Sequence, residues 1–244
     1  METVDRGPRA SWSESLGADG GHASELDAAR VAMFGTAWER VSLGVRALRR
    51  LFRDPDDTTQ VLLAGLALSA PFFPALLARI ERSAEGRRIL AEAPTIDSHT
   101  VDFEHLRTLP ATTLGGAYAR YLEDNGLDPD LFQPPPGLPP APRFIAQRMR
   151  QTHDVWHVLT GYRPDIAGEL ALQGFTFAQL RMPTSLFIAT LGTALRAPGE
   201  ARRVLDGYRR GREAAFLPVI RFEDHWERPL EEVRRELSVR SARA

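Results

Sequence analysis

Along most of the chain, apolar positions recur at intervals of three and four rather than two, a pattern that predicts helices and no long strand. The first run reaches from residue 26 to residue 52. Val31, Phe34, Trp38, Val41, Val45, Leu48, Leu51 and Phe52 carry it, Arg46, Arg49, Arg50 and Arg53 fall outside it, and Asp54-Pro55 ends it. Residues 61–78 form the most apolar segment, 18 residues without a charge. That length only just reaches what a membrane span needs. Pro71 and Pro74 divide its second half, so two shorter core helices meeting near Ser69-Ala70 are expected, a reading that still allows it to line a greasy ligand site.

Further helices are expected over 84–91, from Thr112 or Thr113 to Asn125-Gly126, and from the end of a proline-rich connection (133–142, six prolines in ten residues) through the stretch around His153. Others should run from Glu169 to about Leu180, over 185–195, over 199–216, and through a C-terminal run opened by Pro229. There Glu231 and Glu232 precede Arg234 and Arg235, the order that the helix dipole favours. Residues 94–102 read as a loop. The pattern therefore predicts an all-α, single-domain multi-helix bundle over 29–244, with no internal repeat. Residues 1–28 mix Asp, Glu, Gly and Ser without an apolar run and are expected to be a disordered tail.

Composition narrows the chemistry. The 244 residues are 43% hydrophobic, enough for a full core, and the net charge of −1 provides no global field to hold nucleic acid. With no Cys, disulfides, thiolate zinc sites, cysteine-ligated iron–sulfur clusters and cysteine nucleophiles are ruled out. All 31 basic residues are Arg, so a Schiff-base lysine and a Walker-type phosphate lysine are absent too. Chemistry must come from the six His, from carboxylates and hydroxyls, or from a bound cofactor. The segment 1–28 carries Glu2, Asp5, Glu14, Asp19, Glu25 and Asp27 and matches neither a secretory nor an organellar signal, which makes a bacterial cytoplasm the expected compartment.

Two His, an Asp and a Glu then stand out. On a helix, His153 and His157 lie about 40° apart, with Asp154 about 60° beyond His157, so three potential ligands share one sector. A turn at Gly161 and Pro164 would let the next helix bring Glu169 back to the same point, completing a two-His, two-carboxylate set for a divalent metal. Burying these groups unpaired among Phe144, Ile145, Met149, Val155, Trp156 and Val158 would be costly, and an ion would explain their convergence. Arg150, one turn before Asp154, supports either of two arrangements. An Arg150–Asp154 ion pair with two hydrogen-bonded His would be purely structural; alternatively, Arg150 is a clamp for a substrate carboxylate or phosphate beside the metal. His22, His99, His105 and His225 stand alone in sequence and are given no role at the site.

These residues resemble the coenzyme Q (ubiquinone) biosynthesis protein 4 family. Its signature of His-Asp-x-x-His followed by eleven residues and Glu is filled by His153, Asp154, His157 and Glu169. The resemblance also covers Leu109-Pro110, Thr113-Leu114-Gly115, Tyr118, Gln147-Arg148, Arg150, Gly168, Met182-Pro183, Trp226-Glu227, Pro229-Leu230 and Arg234, spanning about 32–239. Two positions depart from the family pattern: Gln173 where a Lys is usual, which could weaken an anion contact, and Thr112 where a Gly is usual.

The resemblance implies an all-α fold and zinc or another divalent ion on His153, Asp154, His157 and Glu169. It also implies oxidative decarboxylation at ring carbon C1 of a polyprenylated aromatic ubiquinone precursor, whose carboxyl is replaced by hydroxyl. In such a reaction Arg150, read as a clamp beside the metal, would neutralise substrate charge. The expected setting is peripheral, at the cytoplasmic face of a bacterial inner membrane, with other ubiquinone biosynthesis enzymes or a second copy as partners. Zinc does not itself pass electrons to dioxygen, and two His with one carboxylate would equally suit iron. Two alternatives stand beside this reading. One is a non-catalytic prenyl-lipid-binding scaffold with a structural ion. The other is an HD-type metal phosphohydrolase, which would need His99 or His105 and Asp206 or Asp224 as further ligands.

Overall fold

Several helices open on a side chain that satisfies their first free amides. Ser83, Asp102, Thr113 and Asp165 each accept from the backbone N–H three residues on and so open the helices that follow them. The computed structural model describes residues 30–31, 34–53, 65, 67–131 and 139–242. In chain order the helices are α1 (Ala37–Arg53), α2 (Phe73–Ile80), α3 (Ala84–Glu92), α4 (Phe103–Thr108), α5 (Leu114–Asn125), α6 (Pro140–Thr160) and α7 (Ile166–Leu180). There follow α8 (Pro183–Phe187), running through a π-helical turn (Ile188–Gly192) into α9 (Thr193–Arg196), then α10 (Ala201–Glu213) and α11 (Leu230–Glu236). No strand occurs among the described residues, so the all-α expectation holds.

The elements differ from the sequence expectation most clearly in four places. The first helix does not run unbroken from residue 26, because Gly35-Thr36 interrupts it and Thr36 opens α1 in a reciprocal cap with Glu39. The short helix α4 has too few turns to show a period, and Asp102 alone announces it. The proline-rich connection ends before Pro142: α6 already begins at Pro140, since prolines in a first turn give up only amides that no carbonyl could reach. At the C-terminus Pro229 is the cap residue rather than the first helical one. The tail 1–28, the start of the 61–78 segment and most of 133–142 lie outside the described residues.

Helix α6 runs through the centre. Every residue from Val155 to Thr160 is buried, and α5, α7 and α2 pack around it. The most extensive helix pair is α7 with α10, which approach so closely that a Cβ on Gly207 would stand 2.2 Å from the Ala171 carbonyl oxygen. One connected core, from Leu43 to Val239, includes Ile96, Leu114, Leu159, Phe175 and Phe222. The last carbonyls of α6 are satisfied from the C-terminal region: Arg234 donates through Nε to Leu159 and through Nη2 to Val158, and the Ala242 amide reaches Thr160. Near the middle of the helix, Arg148 lies fully buried and donates to both oxygens of Glu223 and to the Ile220 carbonyl. The central helix is thus held near its middle and at its C-terminal end by the last quarter of the chain.

Candidate metal centre

The site is built where α6 turns back into α7. Gly161 adopts φ 72°, which a residue with a side chain reaches only at a cost, and its amide closes α6 on the His157 carbonyl at 2.8 Å. The next residue positions the chemistry. The Tyr162 carbonyl oxygen lies 2.9 Å from His157 Nδ1, and because a carbonyl can only accept, Nδ1 must carry the proton. Nε2 of the neutral ring is then a lone pair. Asp165 caps α7 and so fixes its first turn, which delivers Glu169 to that lone pair.

Glu169 spans both rings. Its Oε1 lies 3.1 Å from His157 Nε2 and its Oε2 lies 3.4 Å from His153 Nε2, and the ligand atoms of the three residues all fall within 4.8 Å of one another. The His157 side chain is wholly buried, His153 nearly so, and Glu169 is 42% exposed, so the group opens to solvent on the carboxylate side. The buried His157 Nε2 has no hydrogen-bond partner, although a carboxylate oxygen of Glu169 stands 3.1 Å away. Two acceptors 3.1 Å apart repel unless a proton or a cation lies between them. Donors about 2.1 Å from a tetrahedral zinc stand about 3.4 Å from one another, close to the two spacings between the carboxylate and the imidazoles, so these residues fit a divalent ion.

Electrostatics agree. Burial disfavours the charged form of Glu169, yet His153 and His157 together hold its carboxyl well below the usual range. Burial likewise opposes charge on His157, but Glu169 and the Tyr162 carbonyl raise it above its ordinary value of 6.5. Without metal, therefore, the Glu169 contribution to stability is present above 4.5 and lost as pH falls through its depressed value. The His157 contribution is present below 6.5 and lost as pH rises through its raised value. Both are complete only in the mildly acidic window between these values. Chelated protein is expected to show its highest melting temperature there and a decline on the alkaline side, which saturating divalent metal abolishes. Thermal melts across that range check this; a profile flat with chelator would show that no proton stands in for the cation.

The other expected site residues fall around this group. Asp154 is half-buried next to it, but its carboxylate is not among the gathered ligand atoms. Arg150 is exposed and makes no ion pair with Asp154, so the structural arrangement considered for them is not formed. His99 is exposed in the 94–102 loop, His105 faces Glu227, and His225 accepts from Arg228. Asp206 pairs with Arg210 and Asp224 with Arg221, so none of the extra ligands an HD-type site requires joins the group.

Tyr121 was not foreseen. Its ring stacks on His157 with centroids 5.5 Å apart, and burial followed by the charges of Asp154 and Glu169 pushes its phenol well above the usual range, so it stays a neutral donor. Its spacing of three from Tyr118 on α5 was the available signal. Tyr118 itself stacks on Trp226 at 5.4 Å. Together with the amides of Leu114 and Gly115 bonded to the carbonyls of Arg228 and Trp226, this fixes α5 beside the site.

Residues 32–243 match the family model described as coenzyme Q (ubiquinone) biosynthesis protein Coq4. Similar curated proteins include the mitochondrial ubiquinone biosynthesis protein of Sclerotinia sclerotiorum, 32% identical over 84% of this chain and 74% of its own length. That of Laccaria bicolor is 28% identical over 83% and 70%. A crystal structure of a Nostoc punctiforme protein assigned to ubiquinone biosynthesis by similarity superposes with a TM-score of 0.66, covering 80% of this chain and 96% of that one. At 21% identity it speaks to the fold alone.

Proposed function

From the premise that the chain belongs to the coenzyme Q (ubiquinone) biosynthesis protein Coq4 family, we propose that it acts in ubiquinone biosynthesis. The proposed reaction is oxidative decarboxylation at C1 of a polyprenylated aromatic precursor, at a divalent ion held by His153, His157 and Glu169 with Asp154 beside them. One observation carries the metal part of this reading: an unpartnered, buried His157 Nε2 facing a carboxylate oxygen at 3.1 Å. Three protein donors also leave positions free for a substrate, the pattern of catalytic rather than structural sites.

When bound, the ion would supply Lewis-acid polarisation of an anionic oxygen on the ring and, if it is iron, a redox route to dioxygen. The chain's own groups do the positioning. The Tyr162 carbonyl holds His157 in the tautomer that leaves Nε2 free, and the stacked Tyr121 ring limits how far the imidazole can turn. Exposed Arg150 is available to neutralise the precursor's carboxylate from the solvent side. In the net reaction the ring–carboxyl bond breaks with release of carbon dioxide and a ring–hydroxyl bond forms. With the hydroxyl oxygen taken from water, two electrons and two protons leave the precursor and water together, and dioxygen accepts them to leave as hydrogen peroxide.

The test uses purified full-length protein. Its metal is first identified by elemental analysis, and the metal-loaded protein is then incubated with a prenylated C1-carboxylated phenol with and without oxygen. The expected result is oxygen-dependent formation of the C1-hydroxylated product with an equal amount of carbon dioxide. Tight binding of the precursor without product would favour the scaffold role instead, and phosphate release from a phosphomonoester panel would restore the phosphohydrolase reading.

A further inference from the structure

The residue that sets His157 also lines a second concave site. A cleft of about 860 Å³, a volume typical of small-molecule pockets, lies between α10, the Tyr162 side chain, α11 and the segment from Ser238 to Ala242. None of His153, Asp154, His157 and Glu169 lines it. Tyr162 is common to both places: its carbonyl accepts from His157, and its hydroxyl accepts from Arg210 Nη1 at 2.8 Å. Arg203, Asp206, Arg210 and Glu213 recur at intervals of three and four along α10, so one face of that helix supplies a whole wall of the cleft.

Five arginines and three acids line this cleft, and only two of the arginines are closely neutralised: Arg240 pairs with Glu213 at 2.5 Å, and Arg234 pairs with Glu231. The other three are not. Arg210 Nε stands 3.5 Å from Asp206 and Arg203 stands 3.9 Å from Glu200, both longer than ordinary hydrogen bonds. Arg235 reaches only the Glu231 backbone carbonyl, with no carboxylate among the described residues pairing with it. Arg210 matters most, because its side chain is 7% exposed while that of Asp206 is 55% exposed. A guanidinium cannot shed its proton, and a buried charge without a close counter-ion is costly. The Tyr162 hydroxyl and ring, the latter with its centroid 5.2 Å away, meet only part of that charge. An anion in the cleft would meet the rest. Guanidinium forks match phosphate oxygens in pairs, and five arginines against three acids leave an excess of two positive charges, which suits a doubly charged phosphate group better than a single carboxylate. No large exposed apolar side chain among the described residues lines the cleft, so the phosphate belongs to a molecule in solution rather than to a bilayer.

We propose that this cleft is a second ligand site, which takes a soluble small molecule by its phosphate or diphosphate group through Arg203, Arg210 and Arg235. The site does not depend on the reaction proposed at the metal centre. The test is isothermal titration calorimetry of full-length protein with inorganic diphosphate, inorganic phosphate and succinate, each at an ionic strength matched with chloride. Wild type is expected to bind one diphosphate saturably, and more tightly than succinate. Arg203→Ala with Arg235→Ala should lower diphosphate affinity by about tenfold or more. Its melting temperature should be unchanged, because Arg203 is only half-buried and Arg235 is exposed. Arg210→Lys keeps the charge but loses the fork, and should also weaken binding. Glu169→Ala and Arg150→Ala should bind diphosphate like wild type, which separates this site from the metal centre and from the substrate clamp proposed there. No binding above the chloride background overturns the proposal, as does unchanged affinity in the Arg203→Ala/Arg235→Ala protein. Loss of binding in Glu169→Ala overturns it as well, because the anion would then sit on the metal, and succinate binding as tightly as diphosphate would overturn the phosphate assignment.

Discussion

Glu169→Ala is expected to abolish both stoichiometric divalent-metal binding and conversion of a C1-carboxylated precursor, while the protein stays folded. Glu169 is the only member of the gathered group that brings negative charge, and its two oxygens face both imidazoles, at 3.1 and 3.4 Å. Removing it leaves two neutral rings, and a cation would then lose a donor and its only anionic ligand in the group. Groups that merely orient metal ligands contribute about 10–100-fold to affinity, so loss of a ligand should exceed about 100-fold. The substitution is also a mild one for the fold, because the side chain is 42% exposed and its truncation opens no sealed cavity. His153→Ala should share the phenotype, whereas His157→Ala would also open a cavity at a fully buried position and is the less informative variant. Competition titration with a chromogenic chelator reads the affinity, and product formation reads the chemistry. Normal turnover by folded Glu169→Ala protein would remove the group from the reaction. Asp154→Asn serves as the comparison: retained metal matches the three-residue group, while loss equal to that of Glu169→Ala would make Asp154 a fourth ligand.

The His153, His157 and Glu169 grouping was legible because it needs only helical spacing and one turn. Two His four residues apart share a face whatever the neighbours do, and Gly161 and Pro164 mark where the chain reverses. Asp154 shows the limit of that reasoning: a helical wheel gives the sector a side chain occupies but not whether its carboxylate reaches the common point. The partner of the buried arginine was out of reach for a different reason. Arg148 and Glu223 are 75 residues apart and nothing local in either stretch announces the other, whereas the exposed Arg150 lies one turn from Asp154 and offers an obvious local partner. Large residues dominate the helical wheel of α1, so the sequence predicts a single apolar face there. The small face made of Leu43, Gly44 and Ala47 packs inward because it allows close approach, and the bulky face is left outside. The Thr36-x-x-Glu39 capping pattern was readable and would have placed the start of α1 correctly.

Glu223→Ala should be among the most destabilising single changes in the chain, costing about 3–5 kcal/mol, which corresponds to roughly 10 °C in melting temperature. Arg148 is 1% exposed and cannot shed its proton, so without Glu223 a full positive charge would remain in the core with only the Ile220 carbonyl to meet it. The pair itself need not be strongly stabilising, because desolvating both ions offsets much of their attraction. Replacing both partners, as Arg148→Met with Glu223→Leu, should therefore recover most of the loss, and the coupling in a double-mutant cycle should be large. The consequence extends to the metal centre, since Arg148 ties α6 to the C-terminal segment five residues before His153. Glu223→Ala protein should accordingly bind metal more weakly even below its melting temperature, although Glu223 touches no ligand. Urea unfolding gives the stability and a chelator competition gives the metal affinity. A loss under about 1 kcal/mol would mean that water reaches Arg148 and that the pair behaves like one on the surface.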